Sequence, residues 1–321
     1  MSTKPTIWIS RQLPAAVIER AQQSFNVIEF EDDVPRSAET IIAMSAKADG
    51  FLACNSERFT AEVTQQLDPR LKIIANYSVG YDHCDVPALT SKGIIVTNTP
   101  EVLSEATAET AMLLLLGAAR RAVEGDKLVR TQSWDSWSPS FMVGKQVSGA
   151  RLAIIGMGRI GQVMARMARG FGMEIHYYNR SRLPQAKEQG AVYHETVESL
   201  LPIADFLSLH CPATEETTNL MNQESFSKMP NGSVLVNTAR GAVVDEEALM
   251  AALDSGKLAA AGLDVFQVEP GGNAKLAAYD NVFMLPHIGS ATFETRDAMG
   301  FRALDNLEAY FKGDVPGDQV N

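Results

Sequence analysis

The stretch "RLAIIGMGRIGQVMARMARGFGMEIHYYNR", residues 151–180, decides the fold. It reads as a strand, a tight turn, a helix and a second strand. Gly156 permits the turn, Gly158 lets the backbone approach a pyrophosphate, and Gly161 lets the helix pack close to the strand. The amides of Arg159 and Ile160 would then point at the phosphates from the positive end of the helix. Three glycines at this spacing are often only a turn. Here the strand before, the helix after and the second strand at the right distance make a dinucleotide site.

The end of the second strand bears on which dinucleotide. The next residues, "YYNRSRLP" (177–184), stand where an Asp or Glu usually holds the adenine ribose hydroxyls. The chain offers Asn179, Arg180, Ser181 and Arg182 instead. A guanidinium pairs well with phosphate, often through two parallel hydrogen bonds. Asn179 and Ser181 can hydrogen-bond without repelling an anion. NADPH is therefore the expected cofactor and NADH the alternative. The plainer reading is a pair of solvated loop arginines.

Working outward, short apolar runs alternate with amphipathic stretches over the first hundred residues. Residues 6–10, 26–30, 50–54, 72–76 and 93–98 read as strands, and 14–25 and 37–48 as helices. A single long helical run covers about 101–130, then a Gly- and Pro-containing loop (131–149) carries Trp134 and Trp137. Further strands fall at 205–212, 232–239, 259–266 and 281–287, and one amphipathic helix closes the chain. Such alternation implies parallel sheets covered on both faces. Two α/β domains are expected, residues 1–100 with 289–321, and residues 101–288.

Composition narrows the class. At 321 residues, 45% hydrophobic and 21% charged, the chain can fill sizeable cores. A formal net charge of -11 argues against nucleic acid as the main partner. Cys54, Cys84 and Cys211 form neither a CxxC pair nor a zinc pattern, so reduced thiols and a cytoplasmic location are expected, with no metal. The most apolar stretch, "AMLLLLGAA" (111–119), is too short for a bilayer and reads as a buried helix.

Three later segments carry candidate chemistry. "NTARGAVVDEEAL" puts Arg240 just after a buried strand, "AGLDVFQVEP" ends with Glu269 before Pro270, and "LPHIGSAT" puts His287 after a strand. Open α/β sheets bind ligands beyond the carboxyl ends of their strands, where all three residues fall. Taken singly, Arg240 and Glu269 could be a structural ion pair and His287 a strand-end histidine. His83, His176, His194 and His210 have plain loop or sheet readings.

With "NYSVGYDHCDVPAL" and "HCPATEETTNL" added, these motifs resemble the D-isomer-specific 2-hydroxyacid dehydrogenase family along nearly the whole chain. Within it, "YYNRSRLP" and the overall pattern are most similar to NADPH-preferring glyoxylate/hydroxypyruvate reductases. The resemblance implies two doubly wound parallel-sheet domains, a Rossmann cofactor domain and a flavodoxin-like substrate domain, with a cleft between. It implies His287 as general acid, Glu269 holding it and favouring the imidazolium, and Arg240 binding the substrate carboxylate. The amides of Val79 and Gly80 would clamp that carboxylate. Asp264 would contact the nicotinamide carboxamide. Cys211, Pro212, Thr217, Thr238 and Ala239, with Gly289 and Ser290, would line the cofactor groove, and Val79, Arg240 and His287 would touch the cofactor too. A small 2-oxo acid would be the substrate, a D-2-hydroxy acid the product and a homodimer the assembly, with the 131–149 loop as its arm. Formate oxidation is disfavoured, since that variant of the family has Gln at Glu269. Phosphite or a larger 2-oxo acid stays open as substrate, and so does a dinucleotide-sensing, corepressor-like binding protein.

Overall fold

The computed structural model describes residues 4–321, in two compact units. One runs up to Leu103 and resumes over Ala291–Asn321; the other is Ser104–Ser290. Residues 101–103 thus fall with the first unit, and Gly289 and Ser290 with the second.

The first unit holds β1 (Thr6–Ile9), β2 (Asn26–Ile28), β3 (Gly50–Ala53), β4 (Ile73–Asn76) and β5 (Ile95–Thr97). Their order is β2-β1-β3-β4-β5, parallel throughout, which is the flavodoxin-like winding. Buried Trp8, Phe51, Ile74 and Val96 form one face's core. On the other face, Gly50 lies against Leu307 and Phe311 of the helix Phe293–Lys312. That helix starts where the Thr292 hydroxyl accepts the Thr295 amide at 3.1 Å and stops at Gly313, which takes a left-handed φ of 88°.

The second unit holds β6 (Arg151–Ile155), β7 (Glu174–Tyr178), β8 (Val192–His194), β9 (Phe206–Leu209), β10 (Ser233–Asn237), β11 (Leu258–Leu263) and β12 (Val282–Met284). The order β12-β11-β10-β9-β6-β7-β8 is again all parallel, and it reverses between β6 and β9. This is the Rossmann winding, whose ligands bind at that reversal. Strand alternation fills two cores: Ala153, Ile155, Leu207, Leu209 and Leu235 face one side, Leu152, Ile154, Phe206, Val234 and Val236 the other.

The single helix expected over 101–130 is two, Ser104–Ala119 and Ala122–Arg130, broken where Arg121 adopts a φ of 55°. The first is buried, as its leucine run demands. Gly262 of β11 lies so close to it that an added Cβ would stand 2.8 Å from Leu114 Cβ. The second buries none of its residues. Among the described residues no helix is long and apolar enough to cross a membrane.

Candidate active site

The turn after β6 is built by absent side chains. Gly156 has a φ of 97°, which favours glycine, and a Cβ there would stand 2.6 Å from the backbone of His210 and Cys211, just past β9. A Cβ on Gly158 would meet nothing within 4 Å, so the backbone there stays open to a ligand. A Cβ on Gly161 would overlap the Gly156 carbonyl. The helix Arg159–Arg169 has no side-chain cap at its start, which suits an anion at its positive end. Asn179 Oδ1 accepts the Met157 amide at 2.6 Å and ties the end of β7 to this loop. These features fit a dinucleotide pyrophosphate.

Around the loop, Cys211 is buried, and burial pushes its thiol up to about 11, so it stays neutral. The Thr217 hydroxyl donates to the Pro212 carbonyl at 2.6 Å and accepts the Thr214 amide at 2.8 Å, which shapes the 212–217 loop. Thr238 and Ala239 are buried beyond β10. Arg182 is not a free cation. It forks onto the carboxylate of Glu188, whose side chain is 5% exposed, at 2.8 and 3.1 Å.

The candidate chemical site stands at the carboxyl ends of β10, β11 and β12. His287 Nδ1 meets Glu269 Oε2 at 2.6 Å, while Glu269 Oε1 accepts the Phe266 amide at 2.8 Å. Burial alone would raise the Glu269 carboxyl. The His287 bond, the Phe266 amide and the charges of His287 and Arg240 outweigh burial and hold it below the usual carboxylate range. Glu269 is therefore the acceptor, His287 Nδ1 the donor, and Nε2 the ring nitrogen left for a reacting group.

Two devices place these groups, and the motifs alone did not reveal them. Asn237, 1% exposed, accepts the Ala239 amide and donates to the Arg240 carbonyl, both at 2.9 Å, and so pins the Arg240 turn. Gly241 passes so close beneath Phe266 that a Cβ would overlap the Phe266 carbonyl group. This brings Arg240 beside the segment that carries Glu269. His287 has a φ of 54°, unusual for a residue with a side chain. Its turn is held by Asp264, which accepts the Ile288 amide at 2.7 Å and the Gly289 amide at 2.8 Å. Burial raises the Asp264 carboxyl above its usual range, against those two amides.

In the first unit, Val79 and Gly80 follow β4 in a turn whose carbonyls are all taken. Thr99 donates to Ser78 O at 2.9 Å, Asn98 to Val79 O at 2.8 Å, and the Ser78 hydroxyl to Gly80 O at 2.5 Å. The turn's donor capacity lies in its amides.

A Rossmann sheet with an acid–histidine pair and an arginine at its carboxyl edge defines a dinucleotide-dependent oxidoreductase. The chain belongs to the D-isomer specific 2-hydroxyacid dehydrogenase family: residues 112–289 match that family's NAD binding domain. It is similar to the glyoxylate reductase of Pyrococcus furiosus, 43% identical over 99% of this chain and 96% of that protein. It is also similar to the glycerate dehydrogenase of Hyphomicrobium methylovorum, 41% identical over 97% of each. Among solved structures, an NADPH-dependent glyoxylate/hydroxypyruvate reductase from Sinorhizobium meliloti, in complex with NADP and malonate, superposes with a TM-score of 0.87. That protein is 33% identical, over 99% of this chain and 97% of the other. The chain is thus a 2-hydroxyacid dehydrogenase that uses a nicotinamide dinucleotide.

Proposed function

We propose that the protein is an NADPH-preferring reductase of small 2-oxo acids, glyoxylate and hydroxypyruvate, yielding D-2-hydroxy acids. The observation that carries this is the 2.6 Å bond between His287 Nδ1 and Glu269 Oε2 beside Arg240. When bound, the reduced nicotinamide supplies the hydride. His287 Nε2 delivers the proton to the carbonyl oxygen as it becomes a hydroxyl. Glu269 fixes the ring's orientation and tautomer. Arg240 binds the substrate carboxylate, and the Val79 and Gly80 amides offer a second anion cradle. Asp264 sets the His287 turn, and we assign the nicotinamide carboxamide to its remaining lone pairs.

Three features support the cofactor choice. Arg180 and Arg182 follow β7, no acid stands at 179–182, and the S. meliloti reductase is named NADPH-dependent. Gly156, Gly158, Gly161 and the amides of Arg159 and Ile160 receive the pyrophosphate. Cys211, Pro212, Thr217, Thr238, Ala239, Gly289 and Ser290 border the rest of the cofactor. Relatives named glyoxylate reductase and glycerate dehydrogenase support a substrate of two or three carbons.

A homodimer fits the exposed arm. Trp137 is 74% exposed, Val143 64% and Trp134 56%, large apolar side chains that a second copy would cover. The reading is tested by initial rates with glyoxylate and hydroxypyruvate, each with NADPH and NADH. Faster turnover with NADPH is expected. Turnover with NADH alone overturns the cofactor choice, and turnover of neither acid overturns the substrate.

A further inference from the structure

Glu188 is a buried carboxylate that the chemistry above does not use. It ends the short helix Gln185–Glu188 and is 4% exposed. Its Oε1 accepts the Tyr177 hydroxyl at 2.7 Å and Arg182 Nε at 2.8 Å, and its Oε2 accepts Arg182 Nη2 at 3.1 Å. The Tyr177 oxygen in turn accepts the Leu183 amide at 3.0 Å, so the brace also fixes the backbone that leaves β7. The Arg182 guanidinium carbon stands 5.7 Å from the centre of the Tyr193 ring, close enough for a cation–π contact. Yet the Arg182 side chain remains 62% exposed.

The fork engages only the Nε–Nη2 edge of the guanidinium. Among the described residues Nη1 makes no hydrogen bond, and the side chain as a whole is largely exposed. A long arginine on a loop normally loses rotamer freedom when it binds an anion, and that loss weakens binding. Here the loss occurs on folding, because a carboxylate with almost no solvent around it holds the group in place. Among the described residues Arg180 has no such buried brace and only the charge of Glu216 nearby.

We propose that Glu188 is a positioning residue for cofactor selection: it presents Arg182, with its Nη1 edge outward, to the 2′-phosphate of the dinucleotide. The inference rests on the NADPH reading given above and deepens it. Arg182 and the Tyr177 hydroxyl hold the Glu188 carboxyl below the usual carboxylate range, so the brace is a charged one at neutral pH. Position and charge make opposite predictions. If position matters, loosening the brace weakens NADPH alone. If the negative charge only opposes the phosphate, removing it tightens NADPH.

The test is calorimetric titration of the full chain with NADPH and with NADH, for the wild type, Glu188→Gln and Glu188→Asp. Asp keeps the charge but is one methylene too short to reach both Tyr177 and Arg182. We expect the wild type to bind NADPH more tightly. Both variants should lose about three- to tenfold in NADPH affinity, from the rotamer freedom restored to Arg182, with NADH unchanged. A purely structural role would move both cofactors together. A wild type that prefers NADPH, with variants that keep its ratio, overturns the inference and leaves the cofactor reading intact. Tighter NADPH binding by Glu188→Gln, with Glu188→Asp like the wild type, also overturns it. A wild type that prefers NADH overturns both. Thermal melts show whether each variant folds, and Glu188→Asp carries the test if the Gln variant does not.

Discussion

Two turns at the carboxyl edge of the Rossmann sheet are built in opposite ways. The turn after β6 works by what it lacks: Gly156 can take a φ of 97°, and Gly158 leaves its surroundings open. The turn after β12 keeps a full side chain at a φ of 54°, that of His287, the residue we propose as general acid. Its conformation is imposed from outside, by Asp264 on the Ile288 and Gly289 amides and by Glu269 on the ring. A turn that only binds can be coded locally by glycine. A turn that presents a reactive side chain must be held by distant residues, and the strain it stores is offset there.

The comparison breaks first at His287. His287→Asn keeps a residue that tolerates positive φ and removes the proposed proton donor. Reduction should slow by about 10²–10⁴-fold in kcat, with dinucleotide affinity within about tenfold of the wild type. A loss smaller than tenfold would remove the chemical role from this turn. Next comes Gly156→Ala, which needs both a disfavoured φ and space already filled by the His210 backbone. We expect about 2–4 kcal/mol of destabilisation in chemical denaturation.

Asp264→Asn tests the external hold. An amide can accept from one of the two backbone N–H groups but turns its own NH₂ on the other. The cost should be about 1–3 kcal/mol of stability. The kcat should fall with it, because His287 loses its set position. A stable variant with full kcat would mean that the 286–290 turn holds itself. Gly158→Ala is the milder counterpart on the binding side. It should melt like the wild type yet bind dinucleotide at least about tenfold more weakly, a difference of about 1.4 kcal/mol.

The same contrast explains what could be read from the chain. The glycine turn was legible because its three glycines lie within six residues, although the crowding of Gly156 by His210 and Cys211 left no local sign. Arg240, Glu269 and His287 were legible as strand-end residues. What holds them was not: Asp264 reaches over 24 residues to Ile288, and Gly241 matters only because Phe266 crosses it. The two arginines after β7 looked equivalent in "YYNRSRLP". Only the burial of Glu188 separates the braced Arg182 from Arg180. The break at Arg121 left no mark either, since residues 118–124 hold neither Gly nor Pro.

The smallest expected effect concerns the wall behind the glycine turn. His210, whose backbone confines Gly156, has its Nε2 2.8 Å from the Ser208 hydroxyl, and burial lowers its ring to about 4 from the usual 6.5. A histidine kept neutral in the fold binds its proton more readily once unfolded. Its contribution is therefore complete above pH 6.5 and is lost as pH falls from 6.5 toward 4. The resulting loss is on the order of 1 kcal/mol at pH 5. Unfolding midpoints of the cofactor-free protein at pH 7 and pH 5 should fall further for the wild type than for His210→Asn. Equal falls would assign the acid sensitivity to carboxylates elsewhere and leave the wall of the glycine turn indifferent to pH, as a turn defined by glycines alone would be.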